Sequence, residues 1–267
     1  TATYFMNVYP FYEKWLQDQA IEQYESGKVG LTFPSTSSVH NPAELEKAKK
    51  LNPHYALAGP SGDGNFAEDS AGWGDSAVWL PYMIYLSYGD VQILKNQYET
   101  ARKWVDYMLR CAKERNPLYE HLPQYHHVDE DGELAADYIY DTRFHFGEWL
   151  EPIPREETGE SQAETLMRWF KEGKPLVATA YMFRSASNVA HMARILGKEE
   201  DHRKYACIAE KIRRAYETFL IAEDGTIEPG HQAAYVRALA MGLCTGEKRE
   251  RVVQKLIREI EANGGKL

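Results

Sequence analysis

Two textures of hydrophobic patterning alternate along the chain. From Pro175 to Leu196 nearly every position is apolar or small, and Arg184 and Arg194 are the two charged side chains. The stretch 199–218 then carries ten Asp, Glu, Lys or Arg in twenty residues, with Tyr205, Ile208, Ala209, Ile212, Tyr216 and the following Phe219 on one helical stripe. A helix apolar all round is wrapped by protein, whereas a striped one has a wet face. The pair recurs twice. Residues 76–88 carry no charge and are apolar nearly all round; they are followed, after Gly89-Asp90, by a helix striped through Leu94, Tyr98, Ala101, Val105, Met108 and Ala112. Residues 231–244 are almost uncharged and precede, after Thr245-Gly246, a helix striped through Val253, Leu256, Ile257 and Ile260. Pro175 suits a first helical position, Gly197 a C-cap and Asp90 an N-cap, while Pro81 is expected to kink its helix. Residues 3–25 predict a further helix with Phe5, Val8, Tyr12, Trp15 and Leu16 on one face and Pro10 as its start or kink. No strand-like alternation competes, so the chain is read as all-α.

Alternation of fully wrapped and one-sided helices is what a two-layer helical toroid requires, with inner helices lining the core and outer ones covering them. The spacing of connections agrees. Inner-to-outer turns take about two residues, whereas the outer-to-inner crossovers run over 27–74, 115–173 and 221–230. Short helices are expected within two of them, at 43–51 and 161–171. All the crossovers return to the end bearing the N-termini of the inner helices, and a site is expected there. Seven main helices are too few to close six hairpins. The expectation is one incomplete (α/α) barrel domain over 1–267, a fragment truncated at both ends. Apolar inner faces left bare in such a toroid favour self-association.

The formal net charge of −9 disfavours nucleic acid and anionic membranes as partners. No apolar run reaches the roughly 18 residues of a membrane span, and no signal peptide is visible at Thr1. A cytoplasmic location is expected, or an extracellular one if an upstream leader has been removed. Cys111, Cys207 and Cys244 are widely spaced and read as buried thiols rather than a disulfide framework or zinc site. Phosphate loops, GxSxG and HExxH are missing from the sequence, so nucleotide, serine-hydrolase and zincin chemistry have no support.

Two segments in the long crossovers have unusual composition. In SAGWGDSAVW (70–79), glycines flank Trp73, which frees the indole to lie exposed and stack on a pyranose face. Asp75 opens the helix, where the dipole keeps a carboxylate ionised and ready to accept sugar hydroxyls. The plainer reading is that Asp75 caps the helix and Trp73 packs. In FHFGEWLEP (144–152), Glu148 and Trp149 place a carboxylate beside an aromatic, a recurrent pairing at sugar sites, against plain loop packing. Asp141, Arg143 and His145 either join that site or form loop salt bridges. His126, His127, Asp129 and Glu130 mimic metal ligands, but VDEDGE reads first as an exposed turn, and no metal is expected. His231 and Gln232 open an inner helix, as polar lining or as a cap.

With those residues in place, the chain resembles the bacterial α-L-rhamnosidases of glycoside hydrolase family 78. GWGDSAVWLPYMIYLSYGD (72–90) resembles a helix-opening segment of that family. FGEWLEP (146–152) is similar to its FGDWL-type loop, with Glu148 where Asp is usual. Residues 176–205 and 230–243 resemble the inner helices that follow in the same order, and residues 1–19 the helix after the catalytic-acid motif. The resemblance implies an (α/α)6 barrel, inverting hydrolysis of terminal α-L-rhamnosides and no required cofactor. It makes Trp73 and Trp149 aromatic walls, with Asp75 and Glu148 as hydroxyl-binding or supporting carboxylates. The family's acid lies upstream of residues 3–25 and its base beyond 247–263. The catalytic pair is therefore expected outside this chain, leaving either an inactive piece of a hydrolase or a non-catalytic sugar-binding module.

Overall fold

A computed structural model describes residues 8–30, 70–117, 119–143, 145–147, 175–228 and 230–265. Among these residues there are seven α-helices: α1 (Tyr9–Glu22), α2 (Ser76–Tyr88), α3 (Val91–Ala112), α4 (Pro175–Ile195), α5 (Glu199–Phe219), α6 (Gln232–Met241) and α7 (Gly246–Ala262). Two 3-10 turns, Pro123–Tyr125 and Ala135–Tyr138, lie between α3 and α4. An isolated bridge pairs Val128 with Leu134, and no longer strand occurs among the described residues. The short helices expected at 43–51 and 161–171 lie outside them.

The two textures sort into two layers. Inner α4 buries Val177, Ala178, Met182, Ser185, Ala186, Val189 and Met192 on several faces. Outer α3 buries Leu94, Tyr98, Ala101, Val105 and Met108, the expected stripe. Contacts fix the directions. Gly72 meets Tyr181, Asp75 meets Ser185 and Tyr82 stacks on His191, so α2 and α4 run parallel. Gln19 bonds Ser76 while Tyr9 bonds Asp90, so α1 runs antiparallel to α2 as an outer helix does. The outer helices α3 and α5 are tied by Tyr98 to Asp201 and by Tyr205 to Asp106, both 2.8 Å. Helix α6 completes the inner series against α4 and α7 through Ala180, Ala234, Tyr235, Ala238 and Val252.

Local chemistry explains the ends. Asp90 accepts the Gln92 N–H at 2.8 Å and caps α3. Gly89 ends α2 in the left-handed region, its N–H bonded to Tyr85 O. Pro10 stands in the first turn of α1, and residues 3–7 of the expected helix lie outside the described residues. Gln23 is extended, so the helix ends at Glu22, before the expected residue 25. Helix α7 buries Val252, while the expected stripe member Ile257 is exposed. Its protein contact comes mainly from α6, and one narrow edge satisfies it. Cys111 and Cys244 are buried, but Cys207 is exposed, a correction that follows from its place off the α5 stripe. No helix among the described residues is long and apolar enough to cross a membrane.

Candidate functional site

The segment 70–75 enters α2 as a tight turn. Ser70 O accepts the N–H groups of Trp73 and Gly74, both at 3.2 Å. Gly72 has φ +92°, a conformation that a side chain resists. Gly74 lies directly on the Trp104 indole, where any Cβ would overlap the ring. Locked from below, the turn leaves Trp73 half exposed (50%), with Phe146 edge-on at 5.8 Å and 70°.

Phe146 belongs to the second motif, so the two segments singled out by composition meet. The junction is hydrogen-bonded as well as aromatic. The Ala71 N–H donates to His145 Nδ1 at 3.0 Å, and the Phe146 N–H donates to Ser70 Oγ at 3.0 Å. His145 Nε2 lies 2.8 Å from Thr142 O. The ring therefore carries its proton on Nε2 and accepts on Nδ1. Burial pushes its pKa down to about 4, with Arg143 adding to the effect and the Thr142 bond opposing it. The Tyr140 N–H donates to Thr179 Oγ1 at 2.9 Å, docking the same segment on the first turns of α4. Both segments thus lie at the N-terminal ends of inner helices, where the crossovers were expected to gather.

Asp75 stands at the N-cap position of α2, yet its side chain caps nothing. It is 1% exposed. Its Oδ2 accepts the Gly72 N–H at 2.7 Å, and its Oδ1 accepts Trp104 Nε1–H at 3.1 Å and the Ser185 hydroxyl. Burial pushes its pKa up and these donors oppose the shift. A carboxylate so enclosed has the surroundings of the supporting rather than the hydroxyl-binding alternative. Ser185 Oγ also accepts Trp79 Nε1–H at 2.9 Å, and Trp79 stacks on Tyr181 with rings 4.8 Å apart and 1° from parallel. Tyr181 packs against Gly72.

Glu148 and Trp149 lie outside the described residues. Asp141 is buried, accepts Tyr125 OH at 2.9 Å and has no salt bridge among the described residues, and burial raises its pKa to about 6. Arg143 does pair, with Glu114, from a backbone φ of +68°. His231 is half-buried, and its carbonyl rather than its ring accepts the first-turn N–H of Ala234 at 3.0 Å. Among the described residues, Asp129, Asp131 and Glu133 group their carboxylates within metal-ligand spacing, and Lys211 bridges all three. His127 packs on Phe219 and takes no part in that group. Sequence reasoning missed Ser70, Trp104, Phe146, Tyr181 and Ser185. Ser70 and Phe146 lay inside flagged motifs, but Trp104, Tyr181 and Ser185 had no local signal.

The whole chain, residues 1–267, matches the family described as the bacterial alpha-L-rhamnosidase 6 hairpin glycosidase domain. An alpha-L-rhamnosidase of Streptomyces avermitilis is 27% identical over 262 residues, 98% of this chain and 19% of that protein. One from Formosa agariphila is 25% identical over 97% of this chain and 22% of its own length. The crystal structure of the Streptomyces avermitilis enzyme complexed with L-rhamnose superposes with a TM-score of 0.66, at 25% identity, over 98% of this chain and 19% of that one. The native Aspergillus terreus alpha-L-rhamnosidase shares the fold, with a TM-score of 0.66 at 21% identity over 98% of this chain and 24% of that one. The chain thus spans about a fifth of the length of these relatives. Helices in two layers, two clasped loops at one end and a match over every residue agree: the chain belongs to the bacterial α-L-rhamnosidase six-hairpin glycosidase family.

Proposed function

We propose that this chain supplies the sugar-binding wall of an enzyme that hydrolyses terminal α-L-rhamnosides with inversion, and that the acid and base come from outside these 267 residues. The observation that carries this reading is Trp73, half exposed on a turn whose backbone and floor are fixed. Exposing an indole costs hydrophobic free energy, and a turn built to hold it out suits stacking on an apolar sugar face. The L-rhamnose bound by the Streptomyces avermitilis relative supports the choice of sugar. Asp75 and Asp141 are spoken for by protein donors, which argues against either as acid or base.

Calorimetric titration of L-rhamnose tests the wall. The chain is expected to bind the sugar, and Trp73→Ala to weaken it by tenfold or more, about 1.4 kcal/mol. Unchanged affinity in a folded Trp73→Ala variant defeats the reading. For the longer enzyme, NMR of the first-formed sugar should show the β-anomer. An initial α-product would exclude inversion.

A further inference from the structure

We infer that Ser185 and Asp75 are positioning residues of this site: one buried hydroxyl–carboxylate pair sets the attitudes of Trp73 and Trp79 together. The ligand named here rests on the proposed rhamnose reading, but the geometry stands apart from it. Ser185 belongs to α4 and is fully buried, 110 residues from Asp75 in sequence. Its oxygen accepts from the Trp79 indole of α2 while its hydroxyl donates to Asp75 Oδ1. The other carboxylate oxygen holds the N–H of Gly72, the residue before Trp73, and Oδ1 also holds Trp104 of α3. Two inner helices, one outer helix and the aromatic turn therefore converge on two side chains.

A buried carboxylate is retained only where donors compensate its lost hydration, and here the backbone donor is the N–H of Gly72, within the turn that presents Trp73. Deleting the Ser185 hydroxyl orphans the Trp79 N–H and takes one donor from Asp75. Both consequences end on aromatic groups. Tyr181, stacked on Trp79, packs against Gly72, so a rotated Trp79 disturbs the turn from its other side as well.

The test uses the 267-residue chain labelled with 5-fluorotryptophan, with the fluorine resonance of Trp73 identified as the one lost in Trp73→Phe. In Ser185→Ala that resonance is expected to shift or broaden, and affinity for L-rhamnose to fall about tenfold, with helix content by circular dichroism retained. Ser185→Thr, which returns a hydroxyl, should restore both. Asp75→Asn offers one acceptor oxygen to three donors and should displace the same resonance. A folded Ser185→Ala chain with the parent's Trp73 resonance and an affinity within twofold of the parent overturns the inference. Should the parent itself not bind L-rhamnose, the sugar reading fails, and the Trp73 resonance alone decides the positioning role.

Discussion

His145 and Asp141 lie four residues apart, both buried, and burial moves their pKa values in opposite directions. His145 titrates near 4 in the fold against about 6.5 in the unfolded chain. The unfolded state therefore takes up the proton first, and stability falls as the pH drops from about 6.5 to 4, by roughly 3 kcal/mol. Asp141 titrates near 6 against 3.8 unfolded, so the folded state holds the extra proton, and stability falls as the pH rises through that window. The two slopes oppose between pH 4 and 6. Urea unfolding at several pH values should separate them. The stability gap between parent and His145→Asn should widen from pH 4 to 6.5, and the gap between parent and Asp141→Asn should shrink from pH 4 to 6. The rise of Asp75 is common to all three chains and drops out of each difference. Curves that stay parallel would deny both assignments. At Gly74 the constraint is steric. Gly74→Ala drives a methyl into the Trp104 ring and should cost about 1–3 kcal/mol, read as a lower melting temperature.

Among the helices, the junction of α1, α2 and α3 shows how a cap serves more than its own element. Asp90 caps α3 through Gln92 and also accepts Tyr9 OH from α1. Asp90→Ala should lower the urea midpoint, Tyr9→Phe by less, and the double variant by less than the sum of the two. Strict additivity in urea unfolding would show that the contacts are independent. The cap was legible because Asp after Gly, just before a stripe, has local consequences. Alternating helix textures were legible for a similar reason, since burial on all faces or one is written in the period of the sequence. One member of the α7 stripe was misplaced because several apolar residues share an edge and only the neighbour decides which is covered; Leu256 packs on the α6 core and Val252 is buried, while Ile257 is exposed. At the site, Gly-Trp-Gly announced an exposed indole correctly. The alternatives for Asp75 stayed open because a carboxylate at a helix start looks the same in sequence whether it turns outward or is pulled under by Trp104 and Ser185. Ser185 and Tyr181 sit mid-helix, and their partners lie more than a hundred residues away.

At the scale of the molecule, the question is whether binding geometry alone confers turnover. Inverting hydrolysis needs an acid and a base on opposite faces of the sugar, about 6.5–9.5 Å apart, with room for water. Around Trp73 the described carboxylates do the reverse: Asp75 and Asp141 are closed off by indole, hydroxyl, phenol and backbone donors, and their shared effect is to hold loops in place. Positioning groups lower the cost of binding but move no proton to a leaving oxygen. The 267-residue chain should accordingly bind L-rhamnose yet release aryl alcohol from an aryl α-L-rhamnoside at no more than a background rate. Steady release by the chain, abolished by Asp75→Asn or by Glu148→Gln in a protein that still folds, would make one of those carboxylates catalytic. That result would require the Asp75 side chain to leave its three donors during the reaction, or the Glu148 carboxylate to face the sugar directly.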